Sequence, residues 1–211
     1  FGVIAQAKKD EIRSTLADRD KLESDDYFLF ILDTYNDQRT AYAFAVNPIG
    51  QQYDGTITDR VPDRRAAMPF SIDKNPDYVF DSKGRITEEG FVIEIKIPLK
   101  SLRFSSKEVQ TWGFNVLRRV QHSRYWTSVI PLKLGEASFL AQNGKLRNIT
   151  NLKSKRLFDI NPELRSAMSR LQQDKDFSSQ TLDPLGVNFR YGLSNNTVLN
   201  ATLNPDFSQI E

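Results

Sequence analysis

The run from Asp25 to Gly55, DDYFLFILDTYNDQRTAYAFAVNPIGQQYDG, limits what this chain can fold into more than any other stretch. YFLFILD, residues 27–33, is dense in aromatic and branched side chains and is bounded by Asp on both sides. That is the pattern of a strand buried on both faces. In the following run, Arg39 to Val46, Tyr42, Phe44 and Val46 fall on one side and Ala41, Ala43 and Ala45 on the other. The small side suits close packing of a second layer. Thr34-Tyr35-Asn36-Asp37 is a tight polar connection, and Asn47-Pro48-Ile49-Gly50 places Pro where φ is fixed and Gly where φ is free to be positive. The centre of the molecule is therefore expected to be antiparallel β.

The remaining segments extend that reading. Phe1 to Ala7 reads as a strand already under way, and Lys9 to Asp20 fits one short helix or a loop. With the C-terminus stopping at Ile210-Glu211, the expectation is a piece of something longer. Asp59 to Pro76, rich in Arg, Asp and Pro, reads as a long surface loop, followed by Tyr78-Val79-Phe80 and a turn at Asp81-Ser82-Lys83-Gly84. Phe91 to Ile97 is a half-exposed strand ended by Pro98, which has no N–H to give a ladder. Trp112 to Val120 and Tyr125 to Ile130 pair next, with Trp112, Phe114, Val116 and Arg118 on one face. Ala137 to Ile149 reads as a short strand around a turn at Asn143-Gly144. Short strands about ten residues apart, with turn chemistry between them, predict a sandwich and not a βαβ fold.

Beyond residue 150 the character changes. Residues 151–184 read as a linker, with scattered apolar positions from Leu157 to Leu171 and a polar stretch from Gln172 to Thr181. In 185–211, Val187, Phe189, Tyr191 and Leu193 alternate with Asn188, Arg190 and Gly192, and a return arm follows Ser194-Asn195-Asn196. Arms of about ten residues, apolar on one side and polar on the other, fit the opening hairpin of an outer-membrane barrel and fit a soluble hairpin equally well.

Composition narrows the function classes. Over 211 residues the formal net charge is only +2, so the chain lacks the basic surplus with which a nucleic-acid binder neutralises phosphates. Its densest basic patch, Lys153 to Arg156, reads as a solvated loop. The absence of cysteine removes disulfides, thiolate metal sites and a cysteine nucleophile. No apolar run is long enough for a transmembrane helix, and the N-terminus lacks the pattern of a signal peptide. Catalysis has little to stand on: His122 is the single histidine, and Glu88, Glu89 and Glu94 make no recognisable glycosidase pair.

Three runs, DRDKLESDDYFLFILDTYNDQRTAYAFAVNPIGQQYDG, GFVIEIKIPLKSLRF and TWGFNVLRRV, together resemble the family 9 carbohydrate-binding-module-like domain at the N-terminus of outer-membrane barrel proteins of unassigned function. The closing run GVNFRYGLSNNTVLNATLNPDFSQIE resembles the start of the barrel in the same proteins. The resemblance implies an all-β chain. Residues 1–150 would form an antiparallel, jelly-roll-like β-sandwich, followed by a linker over 151–184 and an amphipathic hairpin over 185–211 that begins a membrane barrel. It further implies the outer membrane, periplasm or cell surface of a Gram-negative bacterium and a non-catalytic, carbohydrate-binding role, linked to polysaccharide catabolism and to glycoside hydrolases. The competing role is a protein-interaction or plug module of the barrel with no specific sugar binding.

Candidate residues follow. Sugar-binding relatives clasp their ligand between tryptophans, and the segment matching one of them holds Tyr78 and Phe80 instead. Aromatic faces stack on the apolar side of a pyranose, so Tyr78, Phe80, Tyr125 and Trp126 form the expected platform, with Tyr53 and Tyr35 as further aromatics. Arg118 is the leading hydrogen-bonding partner, joined by Arg64, Arg65, Asn115 and Gln121. Asp25, Asp26, Asp33 and Asp37 supply the oxygen ligands calcium needs, in a spacing that is not an EF-hand. The same aspartates equally suit turn capping.

Overall fold

A computed structural model describes residues 1–16, 19–58, 70–133, 136, 138–152, 158–164, 185–192 and 198–204. The chain is all-β, its described strands pair antiparallel, and the only helical turns among these residues are short 3-10 turns at Leu99–Ser101 and Leu140–Gln142. It divides into two units, Phe1–Lys153 and Ser154–Glu211.

In the first unit, β1 (Gly2–Gln6), β2 (Tyr27–Asp33), β3 (Thr40–Val46), β4 (Gln52–Thr58), β5 (Ser71–Asp73), β6 (Asp81–Ile86), β7 (Gly90–Lys96), β8 (Gln110–Val120), β9 (Tyr125–Ser128) and β10 (Gly144–Ile149) make two sheets. One has the order β1-β7-β6; the other is seven-stranded, running β10-β8-β2-β3-β4-β5 with β9 also on β8. Both faces of the large sheet are covered. Phe28, Phe30, Leu32, Phe44, Val46, Trp112 and Val116 pack with Ala5, Phe91, Ile93 and Ile95 of the small sheet. Leu29, Ile31, Ala41, Ala43, Ala45, Ile57 and Leu117 turn the other way, beneath Leu22, Phe70, Phe139 and Leu140 from the connections. β2 is therefore doubly buried, and the alanines of β3 face the layer they were expected to face.

Several departures have local causes. Residues 81–84, expected as a turn, lie in β6, and Gly84 explains it: a Cβ there would sit 2.5 Å from Pro48 O and from Gly50 N. Only a glycine lets β6 press its backbone onto the 47–50 turn. Gly144 likewise begins β10 and does not turn a hairpin: it pairs with Phe114 of β8, and a Cβ added to it would lie 2.9 Å from Ile130 Cδ1. β4 has the sequence QYDGTIT, too polar and too glycine-marked to read as a strand, yet it pairs along its whole length with β3. β5 falls inside the expected 59–76 loop, whose positions 59–69 lie outside the described residues. No helix forms over the described part of Lys9 to Asp20; its polar backbone is tied to buried aspartates instead.

β8 is longer than its neighbours on its outer edge, so two strands share that edge. β10 pairs with Gln110–Phe114 and β9 with Leu117–Val120. At the seam, Asn115 Oδ1 accepts from Val116 N (2.8 Å), Ile130 N (3.2 Å) and Ser128 Oγ (3.1 Å). A side-chain amide thus replaces the ladder bonds that neither strand supplies.

The second unit is one sheet of β11 (Phe158–Leu164), β12 (Leu185–Gly192) and β13 (Val198–Leu203). β11 lies within the expected 151–184 linker. Pro162 and the polar stretch after it hid a strand whose alternation is otherwise regular, and an edge position tolerates the proline. Register places Ile160, Phe189 and Ala201 in one row, Pro162, Val187 and Leu203 in the next, and Tyr191 beside Leu199. All of these share one face; Asn161, Asn188, Thr202 and Asn200 share the other. Among the described residues of this face, Leu203 is 72 % exposed and Ile160 51 %, with Val187, Phe189 and Tyr191 partly exposed between them. The 194–196 turn, the 172–181 stretch and the 153–156 basic patch lie outside the described residues.

Burial also sets a pH limit. Desolvation pushes the Tyr27 phenol up to about 12, against Arg119, and does the same to Tyr42, against the N–H of Arg103. Unfolded tyrosines ionise near 10, so the neutral phenol favours the fold; that stability is whole below pH 10 and is lost as pH rises towards 12. An alkaline titration followed by tyrosinate absorbance and circular dichroism should show ionisation coinciding with unfolding in this window. Ionisation with intact structure would refute it.

Candidate functional site

The four candidate calcium ligands close turns at the two ends of one strand. Asp25 is fully buried at the start of β2, where Thr15 N (3.1 and 3.0 Å), Thr15 Oγ1 (2.8 Å) and Asn47 Nδ2 (2.9 Å) all donate to its carboxylate. Asp26 accepts from Arg13 N (2.6 Å) and Gln121 N (3.2 Å). Asp33, at the far end, accepts from Gln38 N (2.9 Å), and Asp37 accepts from Arg39 N (3.0 Å). A strand of this length separates the two pairs by roughly 20 Å, from a rise of about 3.3 Å per residue. The four do not converge, and among the described residues no group of three or more such ligands is gathered.

A further carboxylate, not anticipated from sequence, organises the strap before β2. Asp54 is 1 % exposed and receives Arg19 Nη2 (2.5 Å), Arg19 Nε (3.1 Å) and Tyr78 N (2.5 Å). Burial holds its carboxyl above the usual range, opposed by Arg19 and the Tyr78 N–H. Burial alone would lower Arg19, but the bond to Asp54 and the charges of Asp54, Asp77 and Asp20 together outweigh it and leave the guanidinium raised. A lone Asp in a polar strand carries no sequence signal for such a role; the signal is visible only once β4 is known to pair on both sides.

The expected sugar platform is dispersed. Phe80 is 4 % exposed, edge-on to Phe44 at 5.1 Å with Arg19 over its other side. Tyr78 packs edge-on to Tyr42 (5.0 Å) and its hydroxyl lies 3.0 Å from Thr56 Oγ1. Arg118 lays its guanidinium over Phe91 (5.4 Å) and Phe28 (6.0 Å) and donates to Gln6 O. Trp126 meets Tyr27 edge-on at 5.6 Å under Arg119. Tyr125, one residue earlier and so on the opposite face of β9, is 71 % exposed. Tyr53 is buried beneath Lys74, and Tyr35 is partly exposed. Asn115 and Gln121 are bound up in the β8 seam and the β8–β9 turn, while Arg64 and Arg65 lie outside the described residues. His122 is exposed in that same turn, and Glu88 and Glu89 are exposed between β6 and β7.

Open space is found elsewhere. A cleft of about 840 Å³ wraps the end of the small sheet, lined by Phe1, Gln52, Asp81, Lys83, Glu94 and Lys96 among others. The Phe1 ring stacks at 15° and 5.5 Å on Phe114 and remains 50 % exposed. Asp81 and Lys96 approach to 3.8 Å across the β6–β7 ladder. Lys83 and Glu94, directly opposite in the same ladder, are exposed. Comparison with protein-family models, curated proteins and solved structures returns no match to this chain.

Proposed function

We propose that the chain is a non-catalytic binding module of an outer-membrane barrel protein, carried together with the opening strands of the barrel. The observation that supports it most is the two-faced sheet of the second unit, whose exposed face carries Ile160, Phe189, Leu199 and Leu203 in register. Water disfavours such a face and hydrocarbon accepts it, and alternation of this kind is the rule for a barrel wall. The two sheets of the first unit, sharing one apolar cluster, read as the halves of a jelly-roll-like sandwich. Its ligand on this reading is a glycan at the periplasmic or outer face of the membrane. Calcium enters the proposal as a structural ion at the Asp33 and Asp37 end of β2, since the Asp25 carboxylate is taken up by Thr15 and Asn47; a melting temperature unchanged between calcium and chelator removes it.

Two experiments test the reading. In cells making the protein, Leu199→Arg should deplete it from the outer-membrane fraction, at a cost of about 2 kcal/mol or more for a charge in the lipid-facing band. Asn200→Arg, on the other face, should leave it there; equal loss from both would sink the membrane assignment. A glycan array probed with the full chain, with and without calcium, tests the ligand. Commitment of Phe80, Tyr78 and Arg118 to internal packing favours the second reading, an interaction or plug module, and a silent array would leave that reading standing.

A further inference from the structure

We infer that the open side of β1 is a strand-acceptor site. Its occupant is one extended strand of polypeptide from outside residues 1–211, apolar where it faces the large sheet and carrying a carboxylate where it passes Arg118. The inference goes beyond the glycan reading and does not depend on it.

β1 ends the order β1-β7-β6, so one of its sides meets no strand among the described residues. Ile95 N donates to Phe1 O (2.8 Å) and Ala7 N to Glu89 O (3.1 Å), and between them Val3 pairs with Ile93 and Ala5 with Phe91. Alternation along an antiparallel ladder then turns the N–H and C=O of Gly2, Ile4 and Gln6 to the open side. Natural edges are blunted by charge, proline, bulges or shortness. β6 carries Asp81, Lys83 and Arg85, β5 has three residues, and β9 and β10 divide one edge between them. β1, GVIAQ, has no charge and no proline, and Ile4 is 79 % exposed.

Beside that edge the large sheet projects further than the small one. Phe1 stacks on Phe114 of β8 and lies 5.8 Å from Phe30 of β2, which sets β1 above those two strands, and β9 continues past them. Register with Val120 and Arg118 turns Tyr125 and Thr127 of β9 to the small-sheet side, and Val129, whose N–H donates to Val116 O (2.9 Å), follows them. Tyr125 and Val129 are exposed, and the shelf they flank is one strand wide, about 5 Å. Arg118 lies in the middle of it. The rings of Phe91 and Phe28 and the Gln6 carbonyl surround its guanidinium, and no carboxylate pairs with it among the described residues.

A strand added to β1 continues the small sheet over this shelf. Its backbone takes up the open N–H and C=O groups, and its alternate side chains descend on Tyr125, Arg118 and Val129 in turn. The order apolar, acidic, apolar follows, because a carboxylate pairs a guanidinium by charge-assisted hydrogen bonds and the flanking rows are apolar. A second copy does not fit. Pairing β1 with its equivalent would bring that copy's β8 and β9, which lie beneath its own β1, into the place that this β9 holds.

The test is isothermal titration calorimetry on the full chain with the capped heptapeptide TVTETVT, joined to amide hydrogen exchange. The peptide should bind and slow exchange of the Ile4 amide. Three changes should each weaken it about tenfold or more. TVTKTVT sets a cation against Arg118, and N-methylation of the two central threonines removes the peptide's own ladder donors. Ile4→Pro removes an outward N–H and leaves the bonds to β7 in place, which unchanged protection of β7 would verify. Equal binding of the lysine peptide overturns the assigned chemistry. Binding that survives both N-methylation and Ile4→Pro overturns the edge as the site. Protection of Ile4 without peptide, in a species of twice the mass, overturns the single strand in favour of a second copy. No binding at millimolar peptide overturns the inference as a whole.

Discussion

Asp25→Ala should lower the unfolding free energy by about 4 kcal/mol, seen as a shift of the urea midpoint with little change in slope. The carboxylate is fully buried and is the common acceptor for Thr15 N, Thr15 Oγ1 and Asn47 Nδ2. Removing it takes away three bonds to a charged acceptor, each worth about 1.5–3 kcal/mol, and while exposed Thr15 can turn to water, the Asn47 amide is left fully buried. The damage spreads because Asn47 also closes the next turn, its Oδ1 accepting from Gln51 N (2.8 Å) and Ile49 N (3.2 Å). One aspartate therefore holds both the strap before β2 and the turn between β3 and β4. The same loss in calcium and in chelator is the expected result. A loss confined to calcium-containing buffer would show that an ion, and not the three donors, accounts for the residue.

Gly90→Ala should be at least as costly, about 4 kcal/mol, and its effect should be local to the small sheet. Gly90 has φ of +149°, in a region that side chains rarely enter, and a Cβ there would lie 1.9 Å from Ala5 O. The atom in the way is backbone, so no rotamer change relieves the clash. β1 must leave β7, taking with it the Gln6–Gly90 and Ala5–Phe91 pairs and the cover that Ala5 gives the core. Proteolysis near residues 1–7 and loss of protection in β7, with β2 and β3 still protected, would show this. Global unfolding with no partly folded stage would show instead that the small sheet is part of one indivisible core. Because Phe1 precedes β1, the substitution also removes the aromatic wall of the cleft.

The parts of the fold legible in the sequence were those where burial alone sets the residue choice. YFLFILD has no polar position, so its two-sided burial could be read directly, and the alternation of Tyr42, Phe44 and Val46 with alanines named both layers in advance. β4, β5 and β6 were missed because backbone contacts place them and their side chains carry little apolar pattern. Gly55 is typical: it looks like a breaker, yet an added Cβ would meet Asp73 O at 2.4 Å, so its absence of a side chain is what admits β5. Among site residues, linear proximity concealed that β2 carries the four aspartates to opposite ends, where they close separate turns. The aromatic choices were made by residue type, and type does not say which ring is spent on a neighbour: Phe80 is spent on Phe44, whereas Phe1 keeps half its surface. The cleft itself had no sequence signature, since its residues come from four strands brought together from distant parts of the chain.

The shared outer edge of β8 makes the border of the large sheet two short hems with a stitch at the gap between them. β9 and β10 each hold only part of β8, and at the gap Asn115 ties β8 to Ser128 and Ile130 at the end of β9. Either hem can open without the other, so local fluctuations at the β8–β9 turn stay isolated from those of β10. Neither hem presents an unbroken row of free N–H and C=O groups long enough to template a foreign strand. A border divided in this way lets the connections on each side of the stitch change length independently while the doubly buried strand behind them stays as it is.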